Sequence, residues 1–183
     1  MLRVTGGELR GRRLRVPKGG WVRPTSDRVR EALFARLELA GGERVLDLYA
    51  GSGALGIEAL SRGARRAVFV ERRRFATTVI EQNLTELGLQ DRRRLVCGEA
   101  VAALHRLEHA RECFDLVFLD PPYAGYELER SLTVLSRSAV LASGAIVVLE
   151  SPRQKLVADR EGFSVLDVRR YGDTLITRLL RTE

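Results

Sequence analysis

Cysteine is scarce. The 183 residues hold two, Cys97 and Cys113, at no metal-ligand or redox spacing. Two free thiols in a cytosolic protein is the plain reading. Long apolar runs are missing as well. The longest, such as residues 145–149, are five residues, which excludes a membrane span of about 20. The N-terminus shows no apolar stretch of the signal-peptide type. There is no internal repeat and no low-complexity segment. Lysine is nearly absent, since 29 of the 31 basic residues are Arg. Beyond residue 30 there is no net charge at all: 22 basic residues face 22 acidic ones. The whole excess of +7 therefore sits in residues 1–30, where nine basic residues face Glu8 and Asp27 alone. A charge this local points to a polyanion partner for the N-terminal segment. What remains is ordinary for a globular chain, with 45% hydrophobic and 30% charged residues. At about 150 residues per domain, one domain with a small appendage is expected.

The pattern along the chain predicts strands over 2–5 and 9–16, joined at Gly6-Gly7 as a β-hairpin. Leu14 and Val16 would pack on the body. A helix follows, capped by Thr25 or Ser26, with Val29, Leu33 and Leu37 on one face and Gly41-Gly42 at its end. From residue 44 strands and helices alternate. Strands are predicted over 45–49, 67–71, 95–97, 114–120 and 145–150. Helices are predicted over 54–61, to 87, over 99–109, 127–136 and 153–160. The last two strands, 164–170 and 174–180, meet at Gly172-Asp173 with no helix between them. Repeated strand–helix units imply a parallel sheet covered on both faces. The closing hairpin forces one strand to run antiparallel. The fold class is therefore α/β, a doubly wound, mostly parallel seven-stranded sheet with an antiparallel terminal hairpin and a small N-terminal β-hairpin extension. Residues 1–20 would form the basic hairpin and 21–183 the main domain.

Two motifs carry chemistry. Asp47 lies in a strand that runs into Gly51-Ser52-Gly53-Ala54-Leu55-Gly56, a G-x-G-x-x-G turn opening a helix. Such a turn lets backbone approach a nucleotide cofactor. Glu71 ends the next strand, where a carboxylate can hold ribose hydroxyls. A nicotinamide cofactor is disfavoured because Asp47 would repel its pyrophosphate. A cofactor bearing an ammonium and a sulfonium would be attracted, which describes S-adenosylmethionine. The second motif, Asp120-Pro121-Pro122-Tyr123, ends a buried strand at the edge where open α/β sheets bind ligands. The prolines stiffen the turn and leave the Asp120 carboxylate and the Pro121 carbonyl as acceptors. Tyr123 offers a ring for stacking. Two acceptors and a ring suit the exocyclic amino group of a nucleobase.

These motifs, in this order, resemble the class I S-adenosylmethionine-dependent amino-methyltransferases. The resemblance sharpens over Arg10-Gly11-Arg12-Arg13-Leu14, the block from Val22 through Arg23-Pro24-Thr25 to Phe34, the block from Leu46 to Ala64, and Tyr171-Gly172-Asp173-Thr174. Together they are similar to the bacterial 16S rRNA guanine-N2 methyltransferase family, RsmD type, over nearly the whole chain. The resemblance implies that Asp47, Gly51 and Gly53 hold the methionine end of the cofactor and Glu71 its ribose. Glu99 and Ala100 would border adenine, and Thr25 would touch the methionine part or simply cap its helix. Asp120, Pro121 and Tyr123 would be catalytic. Arg10, Arg12, Arg13, Arg15, Lys18 and Arg23 would bind RNA. The implied protein is a cytoplasmic monomer without metal or membrane attachment, acting on 16S rRNA in the small ribosomal subunit or an assembly intermediate.

Three rivals are weighed against this. A DNA adenine-N6 methyltransferase would share the Asp-Pro-Pro-Tyr chemistry, but a sizeable target-reading domain has little room here. A nicotinamide oxidoreductase is opposed by Asp47 and the terminal hairpin. A non-catalytic RNA-binding protein would not need the Asp120 cluster. His105-Arg106-Leu107-Glu108-His109 matches a zinc-peptidase pattern, yet no distal ligand is identifiable and surface histidines are expected.

Overall fold

The computed structural model describes residues 2–17, 25–121, 125–155 and 157–182. Seven strands form one sheet: β1 (Arg44–Asp47), β2 (Arg66–Glu71), β3 (Arg93–Cys97), β4 (Phe114–Leu119), β5 (Leu141–Pro152), β6 (Phe163–Tyr171) and β7 (Thr174–Arg181). Their order across the sheet is β3-β2-β1-β4-β5-β7-β6. The first five are parallel, and β7 runs antiparallel to both β5 and β6. Five helices cover it: α1 (Asp27–Leu37), α2 (Ala54–Ser61), α3 (Arg74–Glu86), α4 (Ala100–His109) and α5 (Gly125–Arg137). Alternating strand residues divide the core in two. Val45, Phe69, Phe118 and Val148 face α1, α2 and α3. Leu46, Val68, Val117 and Leu149 face α4 and α5. None of the described helices is long and apolar enough to cross a membrane.

The alternation expected from residue 44 onward is present, including the antiparallel closing strand. Three local expectations are corrected. The helix predicted over 153–160 is not formed among the described residues. Instead β5 runs to Pro152, and Arg153 N donates to Asp173 O at 2.9 Å in the β6–β7 turn. Pairing with β7 uses the backbone that a helix would need, so tertiary contact overrides local propensity. The helix α1 ends at Leu37, because Glu38 adopts a left-handed conformation with φ 46° before the two glycines are reached. The N-terminal hairpin is rudimentary. It holds one antiparallel bridge, Arg3 with Arg13, and bonds such as Val4 N to Arg12 O at 2.9 Å, around a wide turn.

That arm is built into the body. Leu2, Val4 and Leu14 enter the core on the α1–α3 side, whereas Val16 is exposed. Its polar backbone is satisfied from α2. Glu58 is buried and accepts from Thr5 N at 2.8 Å and Thr5 Oγ1 at 2.7 Å. Ser61 Oγ accepts from Leu9 N and donates to Gly6 O. Arg30 of α1 has no exposed surface and donates to Arg3 O at 2.5 Å, Thr25 O at 2.7 Å and Asp27 Oδ1 at 2.8 Å, with the buried Glu58 carboxylate 3.8 Å from its Nε. A buried guanidinium bound by two carbonyls and facing two carboxylates fixes where the chain enters α1.

Candidate active site

The carboxyl ends of β1, β2, β4 and β5 gather four acidic side chains. Asp47 ends β1 and is buried. Its Oδ2 accepts from Gly56 N at 3.0 Å, so the carboxylate braces the first turn of α2 from beneath. Burial pushes its pKa up to about 7, with the neighbouring Glu71 charge adding to the rise and the Gly56 bond opposing it. Glu71 ends β2 and is buried as well. It accepts from Gly51 N at 3.0 Å and Arg73 N at 2.9 Å. The Gly-rich turn is thus held between two carboxylates. Gly51 and Gly53 adopt φ of 56° and 79°, in the left-handed region where glycine carries no steric penalty. A Cβ at Gly53 would press on Ile80 of α3 at 3.3 Å, and one at Gly56 would meet the Phe69 ring at 2.3 Å.

Asp120 follows β4 and is partly exposed. Among the described residues it has no hydrogen-bond or ion-pair partner. Partial burial, the charge of Glu150 and the charge of Asp47 raise its pKa well above the usual carboxylate range. Pro121 beside it is buried. Glu150, near the end of β5, belongs to neither sequence motif. It accepts from Thr25 Oγ1 at 2.6 Å. Ser26, not Thr25, caps α1, accepting from Val29 N at 3.4 Å. The Thr25 hydroxyl is therefore directed to the acidic cluster. The sequence does hold a signal for Glu150: it is the one charged residue closing the apolar run 145–149.

Glu99 and Ala100 stand together at the start of α4. They line an open cavity of about 450 Å³ with Tyr49, Val101, His105 and Glu127. Ala100 is buried, whereas the Glu99 side chain is 66% exposed and lies 3.8 Å from Arg72. Tyr49, one of the lining residues, is held by Ser131 of α5, the two hydroxyl oxygens lying 2.8 Å apart. This volume is in the range of small-ligand pockets.

The expected RNA-binding residues are split. Arg10, Arg12, Arg13 and Arg15 are exposed on the arm. Arg12 donates to Glu86 O at 2.9 Å, and Arg15 pairs with the Glu86 carboxylate at 2.5 Å. Arg10 and Arg13 have no side-chain partner among the described residues. Lys18, Arg23, Pro122 and Tyr123 lie outside the described residues. His105 and His109 are exposed, and Glu108 between them is engaged by Ser138 Oγ and Ala139 N. No group of potential metal ligands occurs among the described residues.

Asn83 of α3 is a further residue outside the motifs. It is buried and fully used. Its Oδ1 accepts from Arg15 N at 2.8 Å, and its Nδ2 donates to Arg15 O and Ser52 O, both at 3.0 Å. One side chain therefore joins the arm to the Gly-rich turn. Nothing local in the sequence marks it, because the contacts span 68 and 31 residues.

Comparison with known proteins places this geometry. The family model described as "Conserved hypothetical protein 95" matches residues 2–179. Ribosomal RNA small subunit methyltransferase D of Escherichia coli K12 is 38% identical over 151 residues, covering 82% of this chain and 74% of that protein. The protein of the same name in Haemophilus influenzae is 31% identical, covering 93% of this chain and 89% of its own length. A solved hypothetical protein of Thermus thermophilus superimposes with a TM-score of 0.83 at 30% identity, each chain covering the whole of the other. The chain belongs to the family described as Conserved hypothetical protein 95, that of the small-subunit rRNA methyltransferases D.

Proposed function

We propose that the protein transfers a methyl group from S-adenosylmethionine to the exocyclic N2 of a guanine in 16S rRNA. The carrying observation is the convergence of Asp47, Glu71, Asp120 and Glu150 at one sheet edge. Asp47 and Asp120 there lack a described cationic partner and have raised pKa values. Carboxyl groups withdrawn from water without a paired cation suit a cationic ligand. The turn at Gly51 and Gly53 suits close backbone approach, and the cavity beside Glu99 and Ala100 suits an adenine-sized group. Homologues named small subunit methyltransferase D support rRNA as the substrate class.

When bound, the cofactor supplies an electrophilic methyl on a positively charged sulfur. The chain's own groups do the rest. Asp47 and Glu71 hold the Gly-rich turn in shape and supply negative potential. Asp120 and the Pro121 carbonyl accept hydrogen bonds from the amino group, so its nitrogen lone pair is freed from the ring. Asp120 also stabilises positive charge developing on that nitrogen. The base must leave its stack to reach this edge, and Tyr123 would receive it. Residues 1–20 dock RNA through Arg10, Arg12, Arg13, Arg15 and Lys18, with Arg23 beyond them, and residues 21–183 carry the chemistry. The protein acts as a cytoplasmic monomer on the small subunit or an assembly intermediate.

The test is methyl transfer from labelled cofactor to DNA, free rRNA and small-subunit particles. Incorporation into guanine of the rRNA is expected, greatest in particles. Asp120→Ala should lose about 10²- to 10³-fold in turnover, with affinity for the demethylated cofactor within a few-fold by calorimetry. Labelling of DNA adenine instead, or near-normal turnover by Asp120→Ala, would overturn the reading.

A further inference from the structure

Asp120 and Glu150 end neighbouring parallel strands. The β4–β5 register pairs Phe118 with Val148 and Leu119 with Leu149, so the next residues, Asp120 and Glu150, stand side by side. Adjacent strands lie about 4.8 Å apart. By alternation both side chains belong to the face of Phe118 and Val148, the α1–α3 side of the sheet. Thr25, just before α1, donates its hydroxyl to Glu150 Oε2 there at 2.6 Å. Thr25 is itself held: its carbonyl accepts from buried Arg30 at 2.7 Å.

We propose that Glu150, fixed by the Thr25 hydroxyl, is a positioning residue that makes Asp120 the acceptor of the proton lost by the methylated nitrogen. This rests on the amino-methyltransferase reading. Neighbouring carboxylates disfavour each other's ionised form, so one of them binds its proton more tightly. A hydrogen bond donated to the charged form selects which one stays ionised. Thr25 gives that bond to Glu150. Asp120, without a described donor, is left with the higher proton affinity. The raised pKa of Asp120 agrees, with burial its main cause and Glu150 the next. Among the described residues, the charged groups acting on Asp120 are Glu150 from β5 and Asp47 from β1. From α1, Arg30 is engaged with Thr25 O, Arg3 O, Asp27 and Glu58.

In the transfer, the N–C bond forms as the C–S bond breaks and sulfur keeps the bonding pair. The nitrogen, now positive, gives its surplus proton to the Asp120 carboxylate, which later releases it to solvent. A bound cation favours ionised Asp120. Transfer discharges that cation, so Asp120 regains its proton affinity as the proton becomes available.

The experiment begins on the ligand-free protein, where the Asp120 carboxyl carbon is titrated by NMR. Glu150→Gln keeps an oxygen to accept from Thr25 but removes the charge. It should lower the Asp120 midpoint by about one pH unit or more, as expected for strongly interacting sites. Thr25→Val should lower it in part, and Thr25→Ser should restore it. In turnover on small-subunit particles, Glu150→Gln should shift the acidic limb of the kcat profile to lower pH. It should also reduce plateau kcat by at least about tenfold, with KM for the RNA unchanged. A merely structural Glu150 would change the melting temperature but leave the limb in place. An Asp120 midpoint unmoved by Glu150→Gln would overturn the proposal. If the wild type methylates no RNA, the function reading fails, while the titration still tests the pairing.

Discussion

At the residue scale, Asp47 sets stability against binding. Burial holds its pKa near 7 in the folded chain, against the ordinary value of 3.8. The folded protein therefore binds this proton more tightly than the unfolded chain does. Folding takes up a proton between about pH 4 and pH 7, so stability falls as pH rises through that window and levels off above it. A three-unit difference is worth on the order of 4 kcal/mol as an upper limit. Asp120 acts in the same direction. Asp47→Asn should remove most of this slope and raise the melting temperature at pH 8, because its amide oxygen can still accept from Gly56 N. It should also weaken S-adenosylmethionine binding by more than about tenfold, if Asp47 supplies the charge proposed to attract the ligand. Melting curves from pH 4 to 8 and calorimetry check both halves. A variant less stable than the wild type at pH 8 would mean that Asp47 is paired and ionised in the free protein. Stability given up at a binding residue is a common exchange.

At the element scale, α3 joins the arm to the Gly-rich turn through a single side chain. Its residue Asn83 stands where neither arm nor turn has another described donor for Arg15 O or Ser52 O. Asn83→Leu would leave three backbone groups unpaired, each costing about 1–3 kcal/mol when buried. The expected result is a loss of several kcal/mol in urea unfolding and a cofactor affinity reduced by about tenfold or more. A variant with wild-type unfolding would show that solvent satisfies these groups. The parallel part of the sheet is readable from sequence because each of β1 to β5 contains a short apolar run ended by Gly, Asp or Glu. The Gly-rich turn and the Asp120 turn are readable because their chemistry is contiguous. Asn83, Arg30 and Glu58 are not, because each is a polar residue in a helix whose partners come from the arm or the turns. The 153–160 segment misleads for the same reason: its fate is decided by β7, not by its own pattern. Thr25 and Ser26 are equivalent caps in the sequence, and the Glu150 carboxylate is what separates them.

At the scale of the whole molecule, the charge is divided from the chemistry. Acidic side chains converge at the carboxyl edge of the sheet, and the net positive charge stays in the first 30 residues. The arm is not a loose tail, since Leu2, Val4 and Leu14 are core residues and Glu58, Ser61 and Asn83 bind its backbone. Its apolar and backbone groups are thus used inward, and its guanidinium groups point outward. They are not equivalent. Arg12 and Arg15 are engaged with Glu86, whereas Arg10 and Arg13 have no described partner. Phosphate contacts by Arg10 and Arg13 would give up no internal bond. Replacing both with Ala should flatten the log–log salt dependence of rRNA binding by about 1.5, if each neutralises one phosphate. Affinity should fall alike for different RNA sequences, because phosphate contacts position a protein without reading bases. Calorimetry with S-adenosylmethionine should be unchanged, and the melting temperature should hold, because neither side chain supports the fold. Arg12 and Arg15 replaced together should flatten the slope less, since the Glu86 carboxylate already neutralises part of the Arg15 charge and the Glu86 carbonyl holds Arg12. Binding isotherms from 50 to about 300 mM salt, the range in which such slopes are usually resolved, separate the two pairs. Equal slopes for the wild type and the Arg10/Arg13 variant would remove the arm as the RNA-docking element.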